Sequence, residues 1–187
     1  DANEESPSEV VADESINLLS RRVAEESIVM MKESDGVLPL SREDAFLLVE
    51  QVTTERSHNL QHPAMMFRTA LPFNNKLAFC EVGMSLDEND KDRVEKCVAN
   101  YDTIVLTCFY DRADPCPAAY YERLITRNPK KTFILITNTP FDFSIAKSAR
   151  VIICTFSVGP DSLEAVVRLI FGELRARGVP PVEYRAV

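Results

Sequence analysis

Several common sequence features are missing from this chain. It has no tryptophan and only 5 glycines among 187 residues, and none of the glycines forms a GxGxxG or Walker-type pattern. Such patterns bring bare backbone N–H groups close to a phosphate, so their absence argues against nucleotide binding. No apolar run reaches the ~20 residues that span a bilayer. The opening stretch DANEESPSEV is acidic and has no apolar segment, which argues against a secretory signal.

Positive charge is also scarce. The chain has 21 Lys and Arg against 29 Asp and Glu, for a net charge of −8. Proteins bind phosphate backbones by replacing counterions with Lys and Arg, so we expect no nucleic-acid partner, and we also expect no membrane partner. The 5 cysteines form no CxxC pair. We therefore expect reduced thiols and a cytoplasmic rather than a secreted protein. They are Cys80, Cys97, Cys108, Cys116 and Cys154.

A long amphipathic helix is predicted near the start of the chain. Ser6, Pro7 and Glu9 have the arrangement of a capping box with proline at the first helical position. Apolar residues recur at helical spacing behind it, namely Ile16, Leu19, Val23, Ile28 and Met31. The pattern predicts one helix over residues 7–32, and Asp35 and Gly36 then break it.

Strand and helix patterns alternate through the rest of the chain. Apolar, β-branched runs predict strands at Ala45–Gln51, Lys76–Val82, Thr103–Phe109, Thr132–Thr137 and Val151–Phe156. Helical patterns predict helices at Pro63–Ala70, Asp87–Asn100, Pro117–Arg127, Phe141–Ser148 and Ser162–Phe171. Continuously apolar strands that alternate with helices are typical of a parallel sheet covered on both faces.

The predicted fold class is therefore α/β. We expect a three-layer α/β/α sandwich with a mostly parallel sheet of five to six strands, preceded by the long N-terminal helix. Residues 1–40 are expected to form a linker helix and an LPL segment, and residues 41–187 the sandwich domain, in one compact unit overall. The stretch 53–75 has the weakest pattern, and a loop with one short helix is expected there.

Residue types that carry chemistry are present but poorly placed. His58 and His62 are four residues apart, as two metal ligands on a helix would be, but Pro63 disfavours helix at His62. A zinc site also needs three or four ligands, so we expect no metal and no cofactor. Ser157 lacks the flanking glycines of a nucleophile elbow. No histidine is assignable to activate Cys116.

Acidic residues cluster where the predicted helices begin. Carboxylates at these positions complement the helix dipole and take the place of an anion, so we expect the helices to cap themselves. The residues are Asp161 with Glu164, Asp87 with Asp90, Asp114, and Thr139 with Asp142. A second possibility for Asp111 and Asp114 is a carboxylate pair for glycoside hydrolysis, although helix capping already accounts for Asp114.

Three stretches, in order, resemble the C-terminal domain of glycoside hydrolase family 3. Residues 19–40, LSRRVAEESIVMMKESDGVLPL, are similar to the helix and LPL segment that open that domain. Residues 132–143, TFILITNTPFDF, resemble its strand and Pro-Tyr-Asp motif, with Phe141 in the tyrosine position. The run from residue 152, continued as FGELRARGVPPV, resembles its ending, and departs from the usual GRLPV at Val179 and Pro180. The bacterial two-domain β-N-acetylhexosaminidases are the type that the trio resembles most.

The resemblance implies that the catalytic partner domain is absent from this chain. Family members carry a (β/α)₈ barrel before this domain, which needs ~250 residues, and their aspartate nucleophile belongs to that barrel. In the hexosaminidase type the His–Asp acid/base pair also lies on a barrel loop, so His58 and His62 do not take that role. The β-glucosidase type uses a glutamate on a long loop of this domain, and the step from Tyr110 to Ala119 is too short for it. We therefore expect no catalytic residue here, and a barrel of the same protein as the partner.

The expected role is to support that barrel and to shape the rim of its carbohydrate cleft, in a parent enzyme that hydrolyses terminal N-acetylglucosaminides. The candidate rim residues lie in loops after strands: Asp111, Arg112, Asn138, Asp142 and Asp161. Two alternatives stay open. One is a free-standing module that binds sugars or cell-wall fragments. The other is a flavodoxin-like domain that binds a small molecule, against which stand the acidic helix starts and the missing phosphate loop.

Overall fold

One six-stranded sheet lies at the centre of the molecule, in a computed structural model that describes residues 14–52, 64–110, 116–140 and 147–180. The strands are β1 (Val29–Glu33), β2 (Leu47–Val52), β3 (Ala78–Gly83), β4 (Thr103–Cys108), β5 (Thr132–Thr137) and β6 (Val151–Cys154). The helices are α1 (Glu14–Ser27), α2 (Met65–Ala70), α3 (Glu88–Val98), α4 (Ala118–Arg127) and α5 (Pro160–Ile170).

The strands lie side by side in the order β1-β6-β5-β4-β2-β3. Strands β2 to β6 run parallel to their neighbours, whereas β1 pairs antiparallel with β6 at one edge. Parallel neighbours need a crossover connection, and helix α2 connects β2 to β3, α3 connects β3 to β4, and α4 connects β4 to β5. The mostly parallel sheet predicted from the apolar strands is therefore confirmed.

Two apolar cores cover the two faces of this sheet. Successive residues of a strand point to opposite faces, and β4 illustrates the consequence. Val105 packs in the core formed with α1, α2 and α5, whereas Ile104 and Leu106 pack in the core formed with α3 and α4. All three side chains are fully buried. The predicted three-layer α/β/α sandwich is confirmed, with each face of the sheet covered by helices.

The predicted N-terminal helix ends earlier than expected. Helix α1 ends at Ser27, and residues 29–33 form strand β1, where the spacing of apolar residues predicts more helix. Residues 28–31 are apolar without a gap, so their spacing fits a helix and a strand equally. In the structure, Val29 pairs with Cys154 and Met30 pairs with Ile153 of β6, so these residues form a strand. The prediction of one helix as far as residue 32 was therefore wrong.

The other predicted elements agree with the structure to within two residues where the chain is described. For the predicted helix Phe141–Ser148, residues 141–146 lie outside the described residues, and residues 147–148 form a turn. The capping box at residues 6–9 also lies outside them. The division of the chain at residue 40 stays a prediction, although β1, within the expected linker segment, belongs to the sheet.

The LPL segment and the chain after α5 pack against each other. Leu40 N donates a hydrogen bond to Ile170 O at 2.7 Å, and Gly178 N donates one to Ile28 O at 3.0 Å. Pro39, which follows a cis peptide bond, lies against Gly172, whose φ of +79° favours glycine. The first and third of the stretches that resemble the hydrolase domain are thus in direct contact.

Candidate functional site

The carboxyl ends of the parallel strands form one edge of the sheet, here called the carboxyl edge. Strands β2 to β6 end there at Val52, Gly83, Cys108, Thr137 and Cys154. Open α/β sheets bind ligands beyond this edge, at the point where the direction of the connections changes. The chain moves from β2 to β3 on one side and then crosses back to β4 on the other. The switch point therefore lies between β2 and β4.

A glutamine of the protein itself fills this switch point. Backbone pairing between β2 and β4 ends at Val49, and beyond it Gln51 N donates to Thr107 Oγ1 at 2.7 Å. The Gln51 side chain is buried. It accepts from Phe109 N at 2.5 Å and donates to Met84 O at 2.7 Å. The crevice in which such sheets bind ligands is thus occupied by a hydrogen-bonded side chain.

Asn138 makes a similar pair of bonds on the other side of β4. Its Oδ1 accepts from Tyr110 N at 2.8 Å, and its Nδ2 donates to Tyr110 O at 3.0 Å. Gln51 and Asn138 therefore hold the two residues after β4 from opposite sides, in place of neighbouring strands. Asn138 lies at the carboxyl edge, as expected for a rim residue, but its amide already bonds the backbone. Its contact with a carbohydrate stays a prediction.

Asp161 lies in the first turn of α5, at the contact with α1. The N-cap residue is Gly159, so no side chain caps this helix. The Asp161 carboxylate instead accepts a short hydrogen bond from Ser20 Oγ and lies 3.8 Å from Arg21 Nε. The expectation that α5 caps itself through Asp161 was therefore wrong, although the carboxylate does stand where it complements the helix dipole.

Helix α3 begins with the side-chain cap that the sequence predicts. Asp87 is the N-cap, and its side chain accepts from Asp90 N at 2.8 Å. Asp90 in turn accepts from Gly83 N at 2.8 Å, and so ties the helix start to the end of β3. The self-capping predicted from these two acidic residues is confirmed here.

Several candidates from the sequence lie outside the described residues. They are Asp111, Arg112, Asp114 and Asp142 of the predicted rim and helix starts, and the histidines His58 and His62. Of the two nucleophile candidates, Ser157 Oγ accepts a hydrogen bond from Gly159 N at 3.0 Å. Cys116 Sγ lies 3.5 Å from Cys108 Sγ. The described residues thus bring no base to either side chain.

Glu50 is a buried carboxylate that the sequence analysis did not single out. It is 2% exposed, and it accepts from Met66 N at 3.0 Å and from Phe67 N at 3.1 Å, at the start of α2. Burial raises the pKa of Glu50, and the hydrogen bonds from the backbone oppose that rise. The polar pair Glu50-Gln51 inside the apolar strand β2 is the signal that could have identified both residues. Glu50 therefore anchors the start of α2 through both of its carboxylate oxygens.

Helix α1 carries an exposed apolar surface, here called the α1 surface. Ile16, Leu19 and Val23 share one side of the helix and are 46%, 61% and 58% exposed. Phe156, 38% exposed and with a φ of +55°, stands beside them after β6. Together with Pro160 they line a groove of about 550 Å³. The helical spacing correctly predicted that the apolar residues of α1 share one side of a helix, and the described residues leave this side exposed.

Two features, a metal-binding cluster and a membrane-spanning helix, are not found in the part of the chain that the structure describes. Its His, Cys, Asp and Glu side chains include no group of three or more that could hold a metal ion. None of its helices combines the length and the apolar character that crossing a membrane requires.

Comparison with known proteins gives matches in structure but not in sequence. No protein-family model matches the chain, and no curated protein matches it. A glycoside hydrolase family 3 β-N-acetylglucosaminidase from a Paenibacillus species superposes with a TM-score of 0.79 at 16% identity. The match covers 96% of this chain and 34% of that one.

Two further solved structures are similar. A β-glucosidase from Listeria innocua, in complex with isofagomine, matches with a TM-score of 0.69 at 18% identity, over 91% of this chain and 27% of its own. A fungal multi-domain β-N-acetylglucosaminidase of the same hydrolase family matches with a TM-score of 0.69 at 16% identity, over 96% and 21%. Such low identities establish the fold alone. This chain spans about a third or less of each of these proteins.

Proposed function

We propose that this chain is the C-terminal α/β sandwich domain of a family 3 glycoside hydrolase. The observation that carries the proposal is the shared fold, which extends over nearly all of this chain but over only a part of each hydrolase. The three stretches that resemble this domain in sequence support it independently. In the described residues, the LPL segment and the chain after α5, which belong to two of these stretches, pack together through Leu40 and Ile170.

We infer that the domain contributes no catalytic group, and that the parent enzyme is of the β-N-acetylhexosaminidase type. The β-glucosidase type carries its acid/base glutamate on a long loop after a strand. Here the chain passes from the end of β4 at Cys108 to the start of α4 at Ala118 in nine residues. At the switch point, the buried Gln51 occupies the position where open sheets bind ligands.

The α1 surface is our candidate for the contact with the catalytic barrel. Each of its four apolar side chains is more than a third exposed, and fully burying a side chain of this size contributes about 1.5–3 kcal/mol. The match covers 34% and 27% of two hydrolases with this fold, so a parent enzyme of similar length would have further chain to cover it. The backbone of Phe156 supports the same assignment. A positive φ is uncommon for an aromatic residue and costs free energy, and residues strained in this way cluster at functional positions.

The first experiment measures catalysis by the chain alone. Incubation with a chromogenic N-acetylglucosaminide is expected to release no more dye than a heat-killed sample. Hydrolysis above that control would contradict the assignment of all chemistry to another domain. Reading the gene upstream of residue 1 provides the second test: an in-frame barrel supports the proposal, and an immediate in-frame stop codon contradicts it.

The third experiment tests the α1 surface with a matched pair of leucines. The barrel is produced separately and titrated with this chain by calorimetry. Leu19→Glu is expected to weaken association at least tenfold, since a charge would enter an apolar contact. Leu71, 39% exposed at the end of α2, lies outside the α1 surface, and Leu71→Glu is expected to bind like the unchanged chain. Equal affinities for both variants would refute this docking surface but leave the domain assignment standing.

A further inference from the structure

Two thiols meet at the carboxyl edge of the sheet. Cys108 is the last residue of β4, and Cys116 stands two residues before α4. Their sulfur atoms are 3.5 Å apart, which is contact distance for two thiols. A disulfide needs a sulfur separation of about 2.05 Å, so the two sulfurs are within a small movement of bonding distance. Sequence spacing alone gives no sign of this pair, because the two residues are eight apart and form no CxxC motif.

The two thiols differ in their access to solvent. Cys108 is 0% exposed and packs in the core with α3 and α4, whereas Cys116 is half-buried at the margin of the same core. An oxidant in solution therefore reaches Cys116 first. Cys108 is placed to react only with the sulfur of Cys116, which divides the pair into an entry thiol and a resolving thiol.

We propose that Cys108 and Cys116 form a reversible intramolecular disulfide when the protein meets a small disulfide oxidant such as oxidised glutathione. The Cys116 thiolate attacks one glutathione sulfur, forms a mixed disulfide and releases one reduced glutathione. The Cys108 thiolate then attacks Cys116 Sγ and releases the second. Two protein thiols are oxidised, one glutathione disulfide is reduced to two thiols, and the two protons leave with the departing glutathiones. The product ties the start of α4 to the end of β4, next to Tyr110.

The remaining thiols provide an internal comparison. Burial raises the pKa of Cys80 to about 11 and that of Cys154 to about 11. Only the thiolate is a nucleophile, so neither side chain is expected to attack glutathione near neutral pH. Cys108 is buried as well, and its part in the reaction depends on the contact with Cys116 Sγ. Cys97 is half-buried and lies against Cys80, not against the proposed pair. Cys80 and Cys97 are thus a second pair of neighbouring thiols. Reaction of Cys108 with Cys116 is expected, and a bond between Cys80 and Cys97 in its place would overturn the proposal.

The experiment uses the intact chain and oxidised glutathione under native conditions near neutral pH. Mass spectrometry is expected to show the loss of two hydrogen atoms, and dithiothreitol is expected to restore them. Trypsin cleaves after Arg112, between the two cysteines in the sequence. The bond will therefore join the peptide that ends at Arg112 to the peptide that begins at Ala113. The peptide that ends at Arg112 begins at Cys97 and therefore carries both Cys97 and Cys108. Fragmentation of the joined peptides between these two residues identifies which of them is bonded to Cys116.

Three variants separate the two steps. Cys116→Ser is expected to lose no hydrogen atoms, and Cys108→Ser to stop as a mixed disulfide with one glutathione on Cys116. Cys97→Ser, a change at a half-buried cysteine outside the pair, is expected to oxidise like the unchanged chain. The melting temperature is expected to rise on oxidation, since the cross-link constrains the unfolded chain. Absence of the joined peptides or a different pairing would overturn the proposal.

Discussion

Gly178→Ala tests whether the chain after α5 is held against the rest of the molecule by close backbone contact. Gly178 N donates to Ile28 O at 3.0 Å, and a Cβ added at residue 178 would lie 2.7 Å from that same oxygen. It would also lie 2.8 Å from Ser27 O and 2.7 Å from Val29 Cγ2. Two of these three atoms are backbone oxygens, of the last residue of α1 and of the residue that follows it, so they cannot rotate away as a flexible side chain could.

The magnitude follows from these contacts. Forcing an extra methyl group into a packed position costs about 1–3 kcal/mol. If the segment lifts away instead, it loses the hydrogen bond to Ile28, a cost of about 0.5–1.5 kcal/mol. Gly178 does not adopt a positive φ, so alanine is sterically allowed by the backbone and stabilises through the unfolded chain by about 0.4–1 kcal/mol. At the middle of these ranges the net loss is about 1.3 kcal/mol if the methyl group is forced in and about 0.3 kcal/mol if the segment lifts away, or roughly 1–5 °C in melting temperature for a chain of this size.

The assay is thermal unfolding followed by circular dichroism, with urea titration for the free energy of unfolding. Val179→Ala is the matched control, because Val179 is the next residue and its side chain is 81% exposed. Shortening this side chain is expected to change the free energy of unfolding by less than about 0.5 kcal/mol. An unchanged or higher melting temperature for Gly178→Ala would refute the close contact with Ile28 and Ser27. Equal losses in both variants would refute it too, because the effect would then not depend on the position of the methyl group.

Two further predictions concern buried polar groups. Tyr121→Phe removes a buried hydroxyl that has no hydrogen-bond partner among the described residues, and is expected to raise the free energy of unfolding by about 1–3 kcal/mol. Tyr120→Phe removes a hydrogen bond of 3.1 Å to Lys91 O and is expected to lower the free energy of unfolding by about 0.5–1.5 kcal/mol. If urea titration shows that both variants change the free energy of unfolding in the same direction, the predicted difference between these adjacent residues is contradicted. Burial raises the pKa of Glu50 in the folded protein above its usual value of 4.5. Its contribution to stability is therefore complete below pH 4.5 and is lost as pH rises through the folded pKa. The melting temperature of the unchanged chain should fall relative to that of Glu50→Gln as pH rises above 4.5 towards neutral. Parallel curves for the two proteins would contradict a raised pKa of Glu50.

The alternating elements of the sheet were predictable because their signal is local. Strands such as Thr132–Thr137 are buried on both faces, and burial on both faces demands a continuous apolar run. The helix start at Asp87 was equally local, because its partner Asp90 is three residues away. Elements of this kind depend on the spacing of residues within one short stretch, and the sequence shows that spacing directly.

The candidate site was less predictable, because its contacts are distant in sequence. Gln51 bonds to Phe109 and Asn138 bonds to Tyr110, and neither pairing has a local pattern. Asp161 illustrates the limit: its position in the first turn of α5 was foreseen, but its contacts with Ser20 and Arg21 of α1 were not. The edge strand β1 was missed for the same reason, since only the partner strand β6 distinguishes it from a continued helix.

By itself, the sequence determined the fold class, most of the element boundaries and the resemblance to a hydrolase domain, because hydrophobic periodicity and helix capping act over a few neighbouring residues. The tertiary structure alone decided three things. It turned residues 29–33 into a strand, it left Leu19 and its neighbours on α1 exposed, and it brought Cys108 to Cys116. The physical reason is the same in each case. Whether an apolar residue is buried, and which group a polar or thiol side chain contacts, depends on which other segment packs against it. That packing is determined by the whole chain and not by a few neighbouring residues.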